Sequence, residues 1–216
     1  MSPFILASAQ STGARKTQED SLGTWTDGQN KAILVMADGL GGLPQGDLAS
    51  RAAVDTFLEK ARLNFPSTPE GIDNLMHEVN QAVIKTGGAT TLCAALIDQS
   101  ELAIINLGDS RAYLWQEQKL HQITTDHRLF PESNILTHCL GSPAQTQVDL
   151  FSEKLQPGDF LLLCTDGLTD VLSDEEIAKT LKVISSPEEI SHQLIDQTFH
   201  HGASDNISVV LCLKKA

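Results

Sequence analysis

Apolar and polar residues fall into blocks along this chain, and the blocks predict its elements. Residues 31–37, KAILVMA, are almost wholly apolar and end on Asp38-Gly39, the pattern of a buried strand. A glycine-rich turn, GLGGLPQGD, follows. From 47 to 64 the spacing becomes helical, with Leu48, Ala52, Phe57, Leu58 and Ala61 near one face. Thr68 and Pro69 suit a helix cap and first turn, and Ile72, Leu75, Met76, Val79 and Val83 continue at close to helical period. Residues 90–98, 101–107 and 110–115 then read as three strands separated by short Gly, Asp and Ser turns, as in an antiparallel meander.

Beyond a polar, irregular stretch at 123–147, strands are predicted at 148–154 and 159–165 around the turn QPGD. Ser173 and Glu176 have the spacing of a capping box for a short helix. Ser186-Pro187 opens another helix that ends near Gly202, and 206–213 is the last strand. Strands come in runs and helices in pairs, without regular alternation. The class expected is α+β with largely antiparallel sheets. No repeat or linker interrupts the 216 residues, so one domain over 1–216 is expected.

Composition narrows the function classes. The formal net charge of −13 disfavours a nucleic-acid surface, which needs clustered Lys and Arg. No apolar run nears the roughly 20 residues of a membrane helix, and the N-terminal MSPFILASAQSTGARK lacks a basic region ahead of its apolar stretch. Cys93, Cys139, Cys164 and Cys212 form no CxxC pair and read as free thiols of a cytoplasmic protein.

The chemistry lies in four acidic segments, RKTQED at 15–20, MADGLGG at 36–42, CTDGLTD at 164–170 and SDNISVV at 204–210. Asp38 and Asp166 follow apolar runs, and Asp205 precedes one. Carboxylates at strand ends can converge, and Mg²⁺ or Mn²⁺ favours such oxygen ligands. That points to metal-assisted chemistry on a phosphate. Rival phosphatase and nucleotide signatures are absent: there is no Cys-x₅-Arg, no Asp-x-Asp-x-Thr/Val and no P-loop.

With INLGDSRAYL and GGATTLCAALI these segments form an ordered set of six over nearly the whole chain. The set resembles the metal-dependent protein phosphatases (the PPM or protein phosphatase 2C family) of bacterial type. The resemblance implies a four-layer αββα sandwich of two antiparallel sheets flanked by helix pairs. It implies a serine/threonine protein phosphatase that hydrolyses phosphoserine and phosphothreonine by a metal-bridging hydroxide, without a phosphoenzyme. Asp38 would bridge two Mg²⁺ or Mn²⁺ ions, with the Gly39 carbonyl as a further ligand. Asp20 would serve one ion, supported by Glu19, and Asp166 and Asp205 the other. Asp109 would help bind a third, weaker ion, and Arg15 would grip the substrate phosphate. The partner implied is a phosphoprotein made by a Ser/Thr kinase, in cytoplasmic signalling, with the phosphatase a monomer that engages neither nucleic acid nor membrane. The alternatives are a non-catalytic relative that binds a phosphoprotein or partner, and a metal phosphodiesterase or nuclease; the acidic charge counts against the second.

Two features depart from the family pattern. Leu40 and Leu43 stand where many members carry a histidine suspected of helping the leaving group. The flap is largely deleted, since DHRLFPESNILTHCLG nearly joins two segments usually held apart, and His138 stands at the usual Arg place. Asp170 reads as a helix-face residue and Thr90-Thr91 as structural strand residues.

Overall fold

The computed structural model describes residues 2–41, 44–131, 133–143, 147–183 and 186–215. Three strands open the chain: β1 Phe4–Ser11, β2 Asp20–Thr26 and β3 Lys31–Asp38. Helices α1 Gly46–Leu63 and α2 Pro69–Ile84 follow, then strands β4 Leu92–Asp98, β5 Glu101–Leu107, β6 Arg111–Gln116, β7 Lys119–Gln122, β8 Asp149–Lys154 and β9 Phe160–Cys164. A single turn, α3 Asp166–Thr169, leads to α4 Asp174–Val183, α5 Pro187–His200 and the last strand, β10 Ile207–Lys214.

The strands form two antiparallel five-stranded sheets, ordered β1-β10-β9-β6-β7 and β2-β3-β4-β5-β8. Side-chain alternation shows how they stack. In β3, Ala32, Leu34 and Met36 join the core between the sheets, while Ile33, Val35 and Ala37 pack under α1 and α2. In β10, Val210 and Cys212 face the same central core, while Ile207, Val209 and Leu211 pack against the α3–α5 side. Both faces of each central strand are therefore dry, which explains the continuous apolar runs. Three cores separate four layers, as the αββα expectation required.

The helix boundaries follow their caps. Thr68 Oγ1 accepts from Gly71 N–H, with Pro69 in the first turn. Ser173 and Glu176 complete their box, Ser173 N–H donating to Glu176 Oε2 at 2.9 Å. All five stripe residues of α2 are buried. On α1 the buried face is instead Ala49, Ala53, Val54, Phe57 and Ala61. Leu48 lies off it, 47% exposed, because the helix is rotated to bring small alanines against the sheet.

The meander does not continue as the turns suggested. β4 pairs with β5, but β6 lies in the other sheet beside β9. Gly108, at φ +115°, makes the crossing, where a Cβ would collide with Thr91. β8 and β9, likewise, belong to different sheets. β1, β2 and β7 are strands beyond those the sequence pattern predicts. The four cysteines are free, with Cys93, Cys164 and Cys212 buried. Among the described residues no helix is long and apolar enough to cross a membrane.

Candidate metal and phosphate site

Both sheets deliver carboxylates to one end of the sandwich. The β2–β3 register places Asp20 directly opposite Asp38. Backbone bonds fix Asp38: its N–H donates to Thr91 Oγ1 at 2.9 Å, and its carbonyl accepts from Thr91 N–H at 2.9 Å and Thr90 Oγ1 at 2.8 Å. The two threonines, read as plain strand residues, thus aim the central aspartate.

Gly39 N–H donates to the Glu19 carbonyl at 3.1 Å. A Cβ on Gly39 would run into the Gly46 carbonyl at the start of α1. Close backbone approach is therefore the reason for glycine here. Gly39→Ala is expected to destabilise the chain by about 1–3 kcal/mol, the usual cost of overpacking. A denaturation midpoint matching wild type would contradict that.

The other sheet contributes from β9 and β10. Thr165 Oγ1 and Ser208 Oγ both donate to Asp20 Oδ2, at 3.0 and 2.7 Å. Asp20 Oδ1 is buried with no hydrogen-bond partner. Asp166 begins α3, and Asp205 lies just ahead of β10. Asn206 ties the 12–19 loop down, accepting from Glu19 N–H at 2.7 Å and donating to the Thr12 and Thr17 carbonyls at 3.0 Å. That loop presents Arg15 at the mouth, where it donates to Asp205 Oδ2 at 2.7 Å. Both side chains of this pair are well exposed.

One residue that the motifs did not flag sits among the acids. Arg128, whose side chain is only 9% exposed, donates from Nε to Asp109 Oδ2 at 2.8 Å. Its Nη2 reaches Asp166 Oδ2 at 3.2 Å and Asp170 Oδ1 at 3.1 Å. Asp170, expected on a helix face rather than as a ligand, caps the end of α3 and pairs with Arg128 there. Arg128 is the one Lys or Arg in 123–147, a signal the sequence carried.

The electrostatics are those of crowded anions. Burial pushes the Asp38 carboxyl well up, and the charges of Asp20, Asp166, Asp109 and Asp205 add to the effect. Asp20 is pushed up to about 6, mainly by burial, against the lowering effect of the Ser208 and Thr165 hydroxyls. Asp166 is pushed up to about 7 by burial and then by Asp109, Asp170 and Asp205. Burial also raises Asp109, with Arg128 opposing.

Asp38, Gly39, Asp109, Asp166, Asp205 and Arg15 line one cavity of about 620 Å³, as does Glu19. Asp20 is not among the lining residues and is held by Thr165 and Ser208. Among the described residues no three acidic, His or Cys side chains are gathered tightly enough to hold a metal ion as they stand. Arg15, Arg128 and two hydroxyls each take carboxylate oxygens instead. The donor set nonetheless fits hard divalent cations: it is all oxygen, its members raise one another's pKa, and Asp20 keeps an unpartnered buried oxygen. His138 is not among the lining residues; its ring packs on His127 at 4.5 Å. Leu40 lines the cavity, and Leu43 lies outside the described residues.

Two stacked antiparallel sheets with carboxylates at one end define the class, and comparison with known proteins agrees. The family model for protein phosphatase 2C matches residues 9–206. A serine/threonine phosphatase, Stp, of Listeria monocytogenes is 34% identical, the match covering 91% of this chain and 90% of that protein. The protein phosphatase PhpP of Streptococcus pneumoniae is 28% identical over 91% of this chain and 92% of its own. The catalytic domain of the phosphatase PstP, solved in complex with two manganese ions, superposes with a TM-score of 0.87 at 28% identity, covering 99% of each chain. The chain belongs to the protein phosphatase 2C family.

Proposed function

We propose that this chain, taken as one catalytic domain, is a metal-dependent serine/threonine protein phosphatase. The observation that carries the reading is the convergence of Asp38, Asp166 and Asp205 on one cavity with Arg15 at its mouth. Family membership and the two manganese ions in the PstP complex support it. Asp38 would sit between two Mg²⁺ or Mn²⁺ ions, with Asp20 and the Gly39 carbonyl on one side and Asp166 and Asp205 on the other. Two such ions would polarise a phosphoryl oxygen and make water nucleophilic near neutral pH.

The chain's own residues do the rest. Thr90 and Thr91 hold the Asp38 backbone, and Thr165 and Ser208 orient Asp20. Arg15 offers a planar fork of donors to phosphate oxygens and is exposed enough to swing onto them. Glu19 steadies the Gly39 turn through its carbonyl. Among the described residues no histidine lines the cavity, so protonation of the departing alkoxide would fall to water or another side chain. The substrate would be a phosphoprotein made by a Ser/Thr kinase.

The test is turnover of p-nitrophenyl phosphate and a phosphothreonine peptide, with Mn²⁺ or with chelator. Hydrolysis of both only with Mn²⁺ is expected, the aryl phosphate being the faster because its leaving group needs no proton. Equal rates on both, with no gain in Leu43→His, would remove the leaving-group argument. Turnover that ignores chelation would remove the metal-dependent reading.

A further inference from the structure

We propose that Arg128 is a built-in cation that closes the outer part of the acidic cluster to metal, so that this chain binds two divalent ions and no third. The proposal rests on the two-ion reading above and concerns the Asp109 side of the same site.

Three observations converge on it. The first is occupancy of oxygens: Nε and Nη2 of one guanidinium engage Asp109 Oδ2, Asp166 Oδ2 and Asp170 Oδ1 at 2.8, 3.2 and 3.1 Å. A divalent ion shared by Asp109 and Asp166 would have to lie beside that charge and take oxygens already used as acceptors. Like charges at such distances repel strongly where water is scarce, and Arg128 and Asp109 are 9% and 6% exposed. The second is permanence. A guanidinium does not lose its proton in proteins, so the charge cannot be titrated away to admit a metal.

The third is placement by the fold. Arg128 forms a bridge to Leu136, Leu129 N–H donates to the Ile135 carbonyl at 2.9 Å, and Thr137 N–H donates to the His127 carbonyl at 2.7 Å. His127 is fixed in turn: its N–H donates to the Gly108 carbonyl at 3.0 Å, and its Nδ1 accepts from Gly108 N–H at 3.1 Å. Residues 127–129 and 135–137 are therefore clamped together and, through His127, to the same turn that carries Asp109. The guanidinium is preorganised there and would not be drawn in only when needed. Of Asp166, Arg128 takes Oδ2 alone, while it also bonds Asp109 Oδ2 and Asp170 Oδ1.

The experiment is a count of bound Mn²⁺ by equilibrium dialysis with elemental analysis, on chains whose folding is verified by circular dichroism. Wild type is expected to bind two ions. Arg128→Ala and Arg128→Gln are expected to bind a third, weaker one, and Arg128→Lys, which keeps the charge, to remain at two. Adding Asp109→Asn to Arg128→Ala should return the count to two. Wild type that binds three, or folded neutral variants that still bind two, would overturn the role given to Arg128. Fewer than two ions on wild type would instead overturn the two-ion reading on which it stands. If neither neutral variant folds, a wild-type count of three still overturns the proposal.

Discussion

Asp38→Asn is expected to abolish Mn²⁺-dependent turnover, by at least roughly 10³-fold or about 4 kcal/mol of transition-state stabilisation, while the chain stays folded. The catalytic half follows from position. Asp38 is the carboxylate whose charge is felt against those of Asp20, Asp166, Asp109 and Asp205 together. An amide at this point removes the charge that would hold two cations close. The folding half follows from the same crowding. The Asp38 carboxyl is already pushed well up by burial and by its neighbours, so a neutral isostere relieves repulsion. An Asn amide also brings a donor to a strand position opposite Asp20, whose Oδ1 is buried without a partner. The backbone clamps from Thr90 and Thr91 do not depend on the side chain. The midpoint of thermal unfolding in chelator should equal or exceed that of wild type. Turnover retained in a folded Asp38→Asn protein would refute the bridging role.

The sequence spoke clearly where hydrophobicity and chemistry coincide. β3 and β4 are apolar on both faces because each lies in the middle of its sheet between two layers, so their runs were unmistakable. β1 and β2 are mostly half-buried or exposed and rich in Ser, Thr and Gly, so the same test passed over them. That omission hid the register that sets Asp20 against Asp38. Turn chemistry between β5 and β6 marked the break in the chain but not the change of sheet, since a Gly-Asp-Ser turn serves either purpose. The acidic positions were legible as a set because six short segments occur in order. Arg128 was not, since its partners lie 19, 38 and 42 residues away and no periodicity relates them. Asn206 stood inside a quoted segment, yet its work is to bond backbone atoms of the 12–19 loop, which only the fold brings near.

Stability should depend on pH in a direction set by the same carboxylates. The Asp20 and Asp166 carboxyls ordinarily lose their protons near 3.8 but hold them to about 6 and about 7 in the folded chain, chiefly through burial. The folded state therefore binds these protons more tightly than the unfolded state does. The stability they lend is complete below the unfolded value and is lost as pH rises through 6 and 7. Asp38, raised further, acts in the same direction. Between about pH 5.5 and pH 8, Asp20 and Asp166 together should remove about 3 kcal/mol in chelator, lowering the midpoint by roughly 6–12 °C for a chain of this size. Divalent cations bind the ionised carboxylates, so saturating Mn²⁺ should raise the midpoint more at the higher pH and flatten the profile. Asp166→Asn should flatten it in part without metal, because one of the groups that titrate in this window is then gone. Thermal unfolding followed by circular dichroism across this pH range measures all three. A chelated wild type whose midpoint does not fall with rising pH would mean that the buried carboxylates are already neutralised from within the chain, with Arg15 and Arg128 supplying more of the positive charge than their contacts imply.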